Sequence, residues 1–166
     1  MEAERIQMIR NWLVLTIMCA LCLGGCHKSD KTAVKSIDGQ NIGLQQLRGK
    51  WVFVNYWATW CQGCLNDIAA LKKFAAQNGN SVVVLGVNYD QLANPELKAA
   101  ATRWSITYPV LVKDPQRLWG LPDVDLVPTT FVINPQGKVV KTILGTETTA
   151  SFNRTLSDLE ATYKIG

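Results

Sequence analysis

The stretch Trp51-Val52-Phe53-Val54-Asn55-Tyr56-Trp57-Ala58-Thr59-Trp60-Cys61-Gln62-Gly63-Cys64 decides how the rest of the chain is read. Trp51 to Trp57 is a continuous β-branched and aromatic run, the pattern of a central strand covered on both faces. From Gln62 to about Gln77 the apolar residues Leu65, Ile68, Leu71 and Phe74 recur every third position, with Ala75 beside them. This predicts an amphipathic helix, ended by Asn78-Gly79-Asn80. The two cysteines therefore fall where a buried strand hands over to a helix. A thiol in the first turn of a helix faces unpaired backbone N–H groups and the positive end of the helix dipole, and both favour thiolate. Cys64 lies one turn further on the same face, so the two sulfurs can close a small ring with little backbone movement. Cys61 is expected to attack a substrate disulfide, and Cys64 to resolve the mixed disulfide that results.

Other uses of the pair fit less well. A structural bridge over so short a separation contributes little loop entropy. A zinc half-site needs two further ligands, and the body of the chain holds no other cysteine and no histidine. Two inert buried thiols would make no use of the strand-to-helix position. His27 is the only histidine, which excludes Cys/His and Ser/His/Asp chemistry in the domain. No metal and no cofactor are expected, because the sulfurs themselves carry the electrons.

Outward from this centre, Asp38-Gly39 is a hairpin signal within Val34 to Ile42, and Leu44 to Leu47 reads as a short helical turn closed by Arg48-Gly49-Lys50. Val82 to Val87 is a second buried strand, Asn94-Pro95-Glu96 opens a helix to about Trp104, and Val110 to Val112 is a short extended piece. A brief helix starts at Asp114-Pro115. Thr129 to Ile133 and Lys138 to Leu144 flank the turn Asn134-Pro135-Gln136-Gly137, and a last helix carries the apolar stripe Phe152, Leu156, Leu159 and Tyr163. The order predicts an α/β fold: a mixed central sheet with helices on both faces and an N-terminal β-hairpin.

With 166 residues, 48% of them apolar, the chain supports one domain. The net charge is +4, but Lys72-Lys73 is the only adjacent Lys/Arg pair, so no basic stripe predicts nucleic-acid binding. Trp12 to Leu23 is almost wholly apolar, follows Arg10 and ends in Gly24-Gly25, the layout of a secretory signal peptide. A membrane span needs about 20 apolar residues, and this run stops after roughly a dozen. Glu2 and Glu4 are unusual ahead of such a core, and Met8 offers an alternative start. Leu23-Gly24-Gly25-Cys26 resembles a bacterial lipobox, which implies lipidation of Cys26 and a membrane anchor; the alternative is an uncleaved signal anchor. Both place the domain outside the cytoplasm, and His27 after the lipid cysteine weighs towards an outer-membrane destination. The expected division is 1–25 signal peptide of lipoprotein type, 26–33 tether and 34–166 domain.

Asn55 to Cys64 as a whole resembles the active-site signature of thioredoxin-like thiol-disulfide oxidoreductases of the bacterial envelope, the TlpA/ResA group that includes cytochrome c maturation reductases. Asp38-Gly39 and Leu44 to Lys50 resemble that family's lead-in to the strand. Val127-Pro128-Thr129-Thr130-Phe131-Val132-Ile133-Asn134, followed by Gly137, resembles its second signature. The resemblance runs from about Val34 to the C-terminus and implies a thioredoxin-like fold. It further implies that Pro128 is cis and lies against the cysteines, with the backbone of Val127 pairing with substrate. Proline is the residue at which a cis bond is tolerated; an ordinary trans proline opening a strand is the alternative. Trp60 would shield the nucleophile and offer substrates an apolar contact, with Gln62 and Gly63 beside it. Asp67 stands where the family often carries a buried glutamate that moves protons for the resolving thiol; it is either such a carrier or a solvated residue of the helix face. Asn55 stands where cytoplasmic thioredoxins have a buried aspartate.

Two departures bear on redox direction: Gln62-Gly63 lacks the usual proline before Cys64, and Ala69 replaces a proline that often kinks this helix. Residues between the cysteines tune potential widely. The leading expectation is a reductase of protein disulfides in the envelope, apocytochrome c among them, fed by a membrane thiol electron donor. An oxidase or isomerase is the alternative in the same class. A copper assembly factor of this fold would use CxxxC with a distant histidine, and a peroxidase would show a lone peroxidatic cysteine in a Thr-rich loop; neither pattern is present.

Overall fold

The structure, a computed structural model, describes residues 30–163. The signal peptide, Cys26, the choice between Met1 and Met8 and the first part of the tether lie outside the described residues. Asp30 to Ala33, on the polar stretch ahead of the first strand, form a turn in which the Asp30 carboxylate accepts from the amide and hydroxyl of Thr32. Those two bonds hold its carboxyl below the usual range. The Thr32 carbonyl accepts from Trp119 Nε1 at 2.8 Å, so this turn is docked on the domain.

A small antiparallel pair, β1 (Val34–Lys35) and β2 (Asn41–Ile42), is joined by a turn in which Gly39 has φ +84°, a conformation that favours glycine. The main sheet contains β3 (Trp51–Trp57), β4 (Val82–Asn88), β5 (Val110–Leu111), β6 (Thr129–Ile133) and β7 (Val139–Leu144) in the order β5-β4-β3-β6-β7. β3 is parallel to β4 and antiparallel to β6, so its ladder is satisfied on both sides and every one of its residues is buried. The helices are α1 (Gln62–Asn78), α2 (Asn94–Arg103), the single turn α3 (Gln116–Trp119) and α4 (Thr149–Tyr163).

The mixed sheet and the N-terminal hairpin are as expected, but the two faces are covered unequally. The step from β4 to β5 continues in the direction of the step from β3 to β4. Right-handed crossovers then return α2 to the face already occupied by α1. The opposite face is closed by the hairpin, by α3 through Trp119 and by Leu44 and Leu47. Leu44 to Leu47 is a turn rather than a piece of helix. Its bonds, Gln46 N to Gly43 O and Leu47 N to Leu44 O, each span three residues, and Gly49 at φ +83° ends it before an α-helical ring can close.

On the α1 face, Phe53 of β3, Phe74 of α1 and Phe152 of α4 pack ring to ring, with centroids 4.7, 5.6 and 6.1 Å apart. All three are fully buried, and they fix the angle at which α1 leaves the sheet. Among the described residues no helix is long and apolar enough to cross a membrane. Truncating the hub, Phe53→Ala, should cost about 3–5 kcal/mol in urea unfolding; a loss under about 1 kcal/mol would mean that the three rings do not set the packing.

Candidate active site

β3 ends at Trp57, and Ala58-Thr59-Trp60 makes one turn, closed by Cys61 N–H donating to the Ala58 carbonyl at 3.1 Å. α1 then begins with Cys61 as its N-cap, in extended conformation, and Cys61 Sγ accepts the Cys64 N–H at 3.1 Å. A sulfur thus takes the position that serine or aspartate occupies at most helix starts. No acidic residue lies in the first turn to oppose negative charge there. Cys61 and Cys64 form a disulfide with an S–S distance of 2.04 Å and a Cα–Cα distance of 5.3 Å. Cys61 is 7% exposed and Cys64 0%, so only the first cysteine reaches the surface.

Pro128 follows a cis peptide bond from Val127. Its Cδ lies 3.8 Å from where a Cβ on Gly63 would stand, which puts the proline against the segment between the cysteines. Among the described residues, neither the N–H nor the C=O of half-buried Val127 enters a backbone hydrogen bond. Gln62 is exposed beside it. Gly63 is held from the other side by Thr146, whose Oγ1 donates to the Gly63 carbonyl at 3.2 Å and would stand 2.8 Å from a Cβ on that glycine. A side chain at position 63 would meet the Thr146 hydroxyl, which would have to turn away to admit it.

Thr146 belongs to a loop after β7 that grips α1 along its length. The Glu147 N–H donates to Asp67 Oδ1 at 2.9 Å and the Thr149 hydroxyl to the Ala70 carbonyl at 3.1 Å. Asp67 is wholly buried, so the solvated-face alternative is excluded. Its Oδ2 accepts from Asn55 Nδ2 at 2.7 Å, and the same Nδ2 donates to Thr130 Oγ1 at 3.0 Å. Burial pushes the Asp67 carboxyl up to about 6, against the opposing pull of the two donors. Tyr108 is also pushed up, first by burial and then by the charge of Asp67. Asn55 Oδ1, Trp57 Nε1 and Tyr108 Oη have no partner among the described residues. The helix face under the cysteines therefore holds a polar island with spare hydrogen-bonding capacity.

Trp60 is 66% exposed; its Nε1 donates to Asp90 Oδ1 at 3.0 Å and its ring meets Tyr89 edge-on, with centroids 6.5 Å apart. Trp57 is the tryptophan that enters the core, tilted against Trp104. Among the described residues no group of three or more His, Cys, Asp or Glu side chains is arranged to hold a metal. The partners Thr130, Thr146, Glu147, Tyr89 and Asp90 escape the sequence reading. Thr130 becomes visible only through its register with Asn55 across β3 and β6. Asp90 carries the weak signal of lying in the turn just after a buried strand. Thr146 and Glu147 sit in a loop with no periodicity to read.

The model of the AhpC/TSA family matches residues 27–142. The thiol-disulfide oxidoreductase ResA of Bacillus subtilis is 29% identical over 165 residues, covering 89% of this chain and 90% of that protein. ResA of Geobacillus thermodenitrificans is 27% identical, covering 96% of this chain and 99% of that protein. Among solved structures, the exposed lipoprotein thioredoxin Etrx1 of Streptococcus pneumoniae superposes with a TM-score of 0.67 at 27% identity, covering 76% of this chain and 97% of that one. A thioredoxin-family thiol:disulfide interchange protein of Chlorobium tepidum gives a TM-score of 0.61 at 29% identity, over 74% and 88% of the two chains. The chain belongs to the AhpC/TSA family, and on its thioredoxin-like fold it is a thiol-disulfide oxidoreductase with the redox pair Cys61–Cys64.

Proposed function

We propose that the protein reduces disulfides in extended polypeptides on the outer side of a bacterial membrane. The observation that carries this reading is the asymmetry of the pair, Cys61 at a helix start with a small exposed surface and Cys64 behind it with none. In the reduced protein the Cys61 thiolate attacks a substrate disulfide, forming a mixed disulfide and expelling one substrate thiolate. Cys64 then gives its proton to the Asp67 carboxylate and attacks Cys61 Sγ, which releases the second substrate thiolate and leaves the intramolecular disulfide. Two electrons have passed to the substrate, and a membrane dithiol donor restores the pair. Val127 offers its unengaged backbone to the substrate strand next to Pro128, Trp60 supplies an apolar surface, and Gln62 and Gly63 border the attacked sulfur.

Asp67 lies three residues after Cys64, one turn along the same helix face, and its carboxyl titrates near the pH at which the proton must be taken. Asn55 can serve either form. As placed, its Nδ2 donates to the carboxylate, and with the amide reversed its unpartnered Oδ1 can accept from the neutral acid. Apocytochrome c is one substrate suggested by the likeness to maturation reductases. A lipid on Cys26 would hold the domain at the membrane. The S. pneumoniae neighbour described as an exposed lipoprotein supports that placement, while the preference for an outer membrane drawn from His27 gains no support from these relatives.

Trapping tests the first step. Cys64→Ser, incubated with envelope extracts, should accumulate mixed disulfides on Cys61 that collapse with dithiothreitol; absence of any adduct would contradict a protein-disulfide substrate. Equilibration of the wild-type pair against glutathione tests direction: a potential near that of thioredoxin, ~−270 mV, fits a reductase, whereas one near ~−120 mV would make it an oxidase.

The raised Asp67 carboxyl makes a further prediction. A folded-state value of about 6 against 3.8 means that the folded protein holds this proton more tightly than the unfolded chain does. The associated stability is complete below about pH 4 and is lost as pH rises through about 6. The gap is worth on the order of 3 kcal/mol. Relative to Asp67→Asn, wild-type oxidised protein should therefore lose on the order of 3 kcal/mol in urea unfolding between about pH 4 and pH 7.5; parallel profiles would contradict a buried, titrating carboxylate. The same variant should slow resolution by about 10²-fold while leaving alkylation of Cys61 unchanged.

A further inference from the structure

One continuous path of hydrogen bonds reaches the attacking sulfur from outside the helix. Thr146 Oγ1 donates to the Gly63 carbonyl at 3.2 Å. That carbonyl belongs to the peptide group whose N–H is that of Cys64, and this N–H donates to Cys61 Sγ at 3.1 Å. A donor at the oxygen end of a peptide polarises the group and strengthens donation from its nitrogen end. We infer that Thr146 is a positioning residue for the Cys61 thiolate: its hydroxyl, acting through the Gly63–Cys64 peptide, stabilises negative charge on a sulfur that it does not touch. The inference rests on the reading of Cys61 as the attacking thiol.

Three features favour this role over simple anchoring of the loop. A Cβ at position 63 would stand 2.8 Å from Thr146 Oγ1, so the hydroxyl is packed directly on the segment between the cysteines. The receiving peptide is the one that caps α1 with sulfur, rather than a peptide further along the helix. The neighbouring Thr149 hydroxyl makes a bond of the same kind to Ala70 O at 3.1 Å, two turns on, from where the main-chain ladder of the helix leads back to the Cys64 carbonyl and not to Cys61 Sγ. The loop and the start of α4 are each joined to α1 by a threonine hydroxyl, and only the loop's bond leads to Cys61 Sγ. The titratable groups around the path are Asp67 on α1, Glu147 in the same loop, Tyr108 beyond Asp67 and Asp90 at Trp60.

The test uses the reduced protein and follows the iodoacetamide reaction of Cys61 against pH in wild type, Thr146→Val, Thr146→Ser and Thr149→Val, none of which alters those titratable groups. Valine is the informative change because its methyl group removes the donor and also keeps water from the Gly63 carbonyl. A cooperative gain of a tenth to a third of a charge-assisted hydrogen bond predicts that Thr146→Val raises the Cys61 thiol pKa by about 0.2–0.6 unit, lowering the thiolate-to-thiol ratio at a given pH by roughly 1.5- to 4-fold. The Cys64 amide proton should move upfield in the same variant. Thr146→Ser should return both readings to wild type, and Thr149→Val should leave both unchanged. An unchanged Cys61 pKa in Thr146→Val, no rescue by serine, or an equal shift in Thr149→Val would overturn the inference while leaving the thiol exchange reading intact. A wild-type protein in which Cys61 is not the thiol alkylated would overturn both.

Discussion

The hydrogen bond from Cys64 N–H to Cys61 Sγ at 3.1 Å is the interaction around which the rest of the molecule is arranged. A helix must satisfy its first N–H groups, and here a sulfur does so in place of an oxygen. The bond exists only if α1 starts where β3 delivers the chain, after the single turn of Ala58 to Trp60. That in turn requires β3 to be rigid. Its two hydrogen-bonded neighbours, β4 and β6, hold it along its length, and the Phe53, Phe74 and Phe152 cluster fixes the helix on top of it. The fold works as a mount that holds one sulfur at the positive end of a seventeen-residue helix.

Beneath that sulfur the environment reverses. Cys61 keeps a small exposure, whereas Cys64 is sealed in an apolar cluster with Trp57, Ile68 and Leu97, and Asp67, one turn further along the helix, is buried with Asn55 and Thr130. Burial alone would favour neutral groups throughout. The two donors to Asp67 return part of that cost and leave its carboxyl near neutrality rather than far above it. Exposure distinguishes the two sulfurs, and on the proposed mechanism the buried carboxylate would receive the proton of the inner one. The loop after β7 contacts both regions, through Thr146 at the peptide between the cysteines and through Glu147 at the carboxylate.

The strand at Trp51–Trp57, the helix from Gln62 and the cysteine pair are legible from local pattern, because apolar periodicity and the strand-to-helix junction are local properties. The cis bond at Pro128 is legible only through family resemblance, since nothing in Val127-Pro128 itself distinguishes cis from trans. The sequence does not decide between solvent and core for Asp67, for a physical reason. Its helix position does not reveal that α4 and the loop before it close over that face, and only their packing buries it. The same holds for the unequal sheet faces: handedness places α2, and that needs the strand order, which no single segment carries. Thr146 lies furthest from legibility, since its partner is 83 residues away and is a backbone oxygen, which leaves no trace in side-chain chemistry.

The most direct test of the account is the acidity of the two thiols in the reduced protein, followed by alkylation with mass-spectrometric assignment of the modified residue. A sulfur at a helix N-cap, accepting a backbone N–H and opposed by no nearby acid in the first turn, should ionise well below the ordinary thiol value of about 8.5 and should be alkylated first, at Cys61. Modification beginning at Cys64, or a Cys61 thiol that titrates at or above that value, would contradict the claim that the helix start makes the nucleophile.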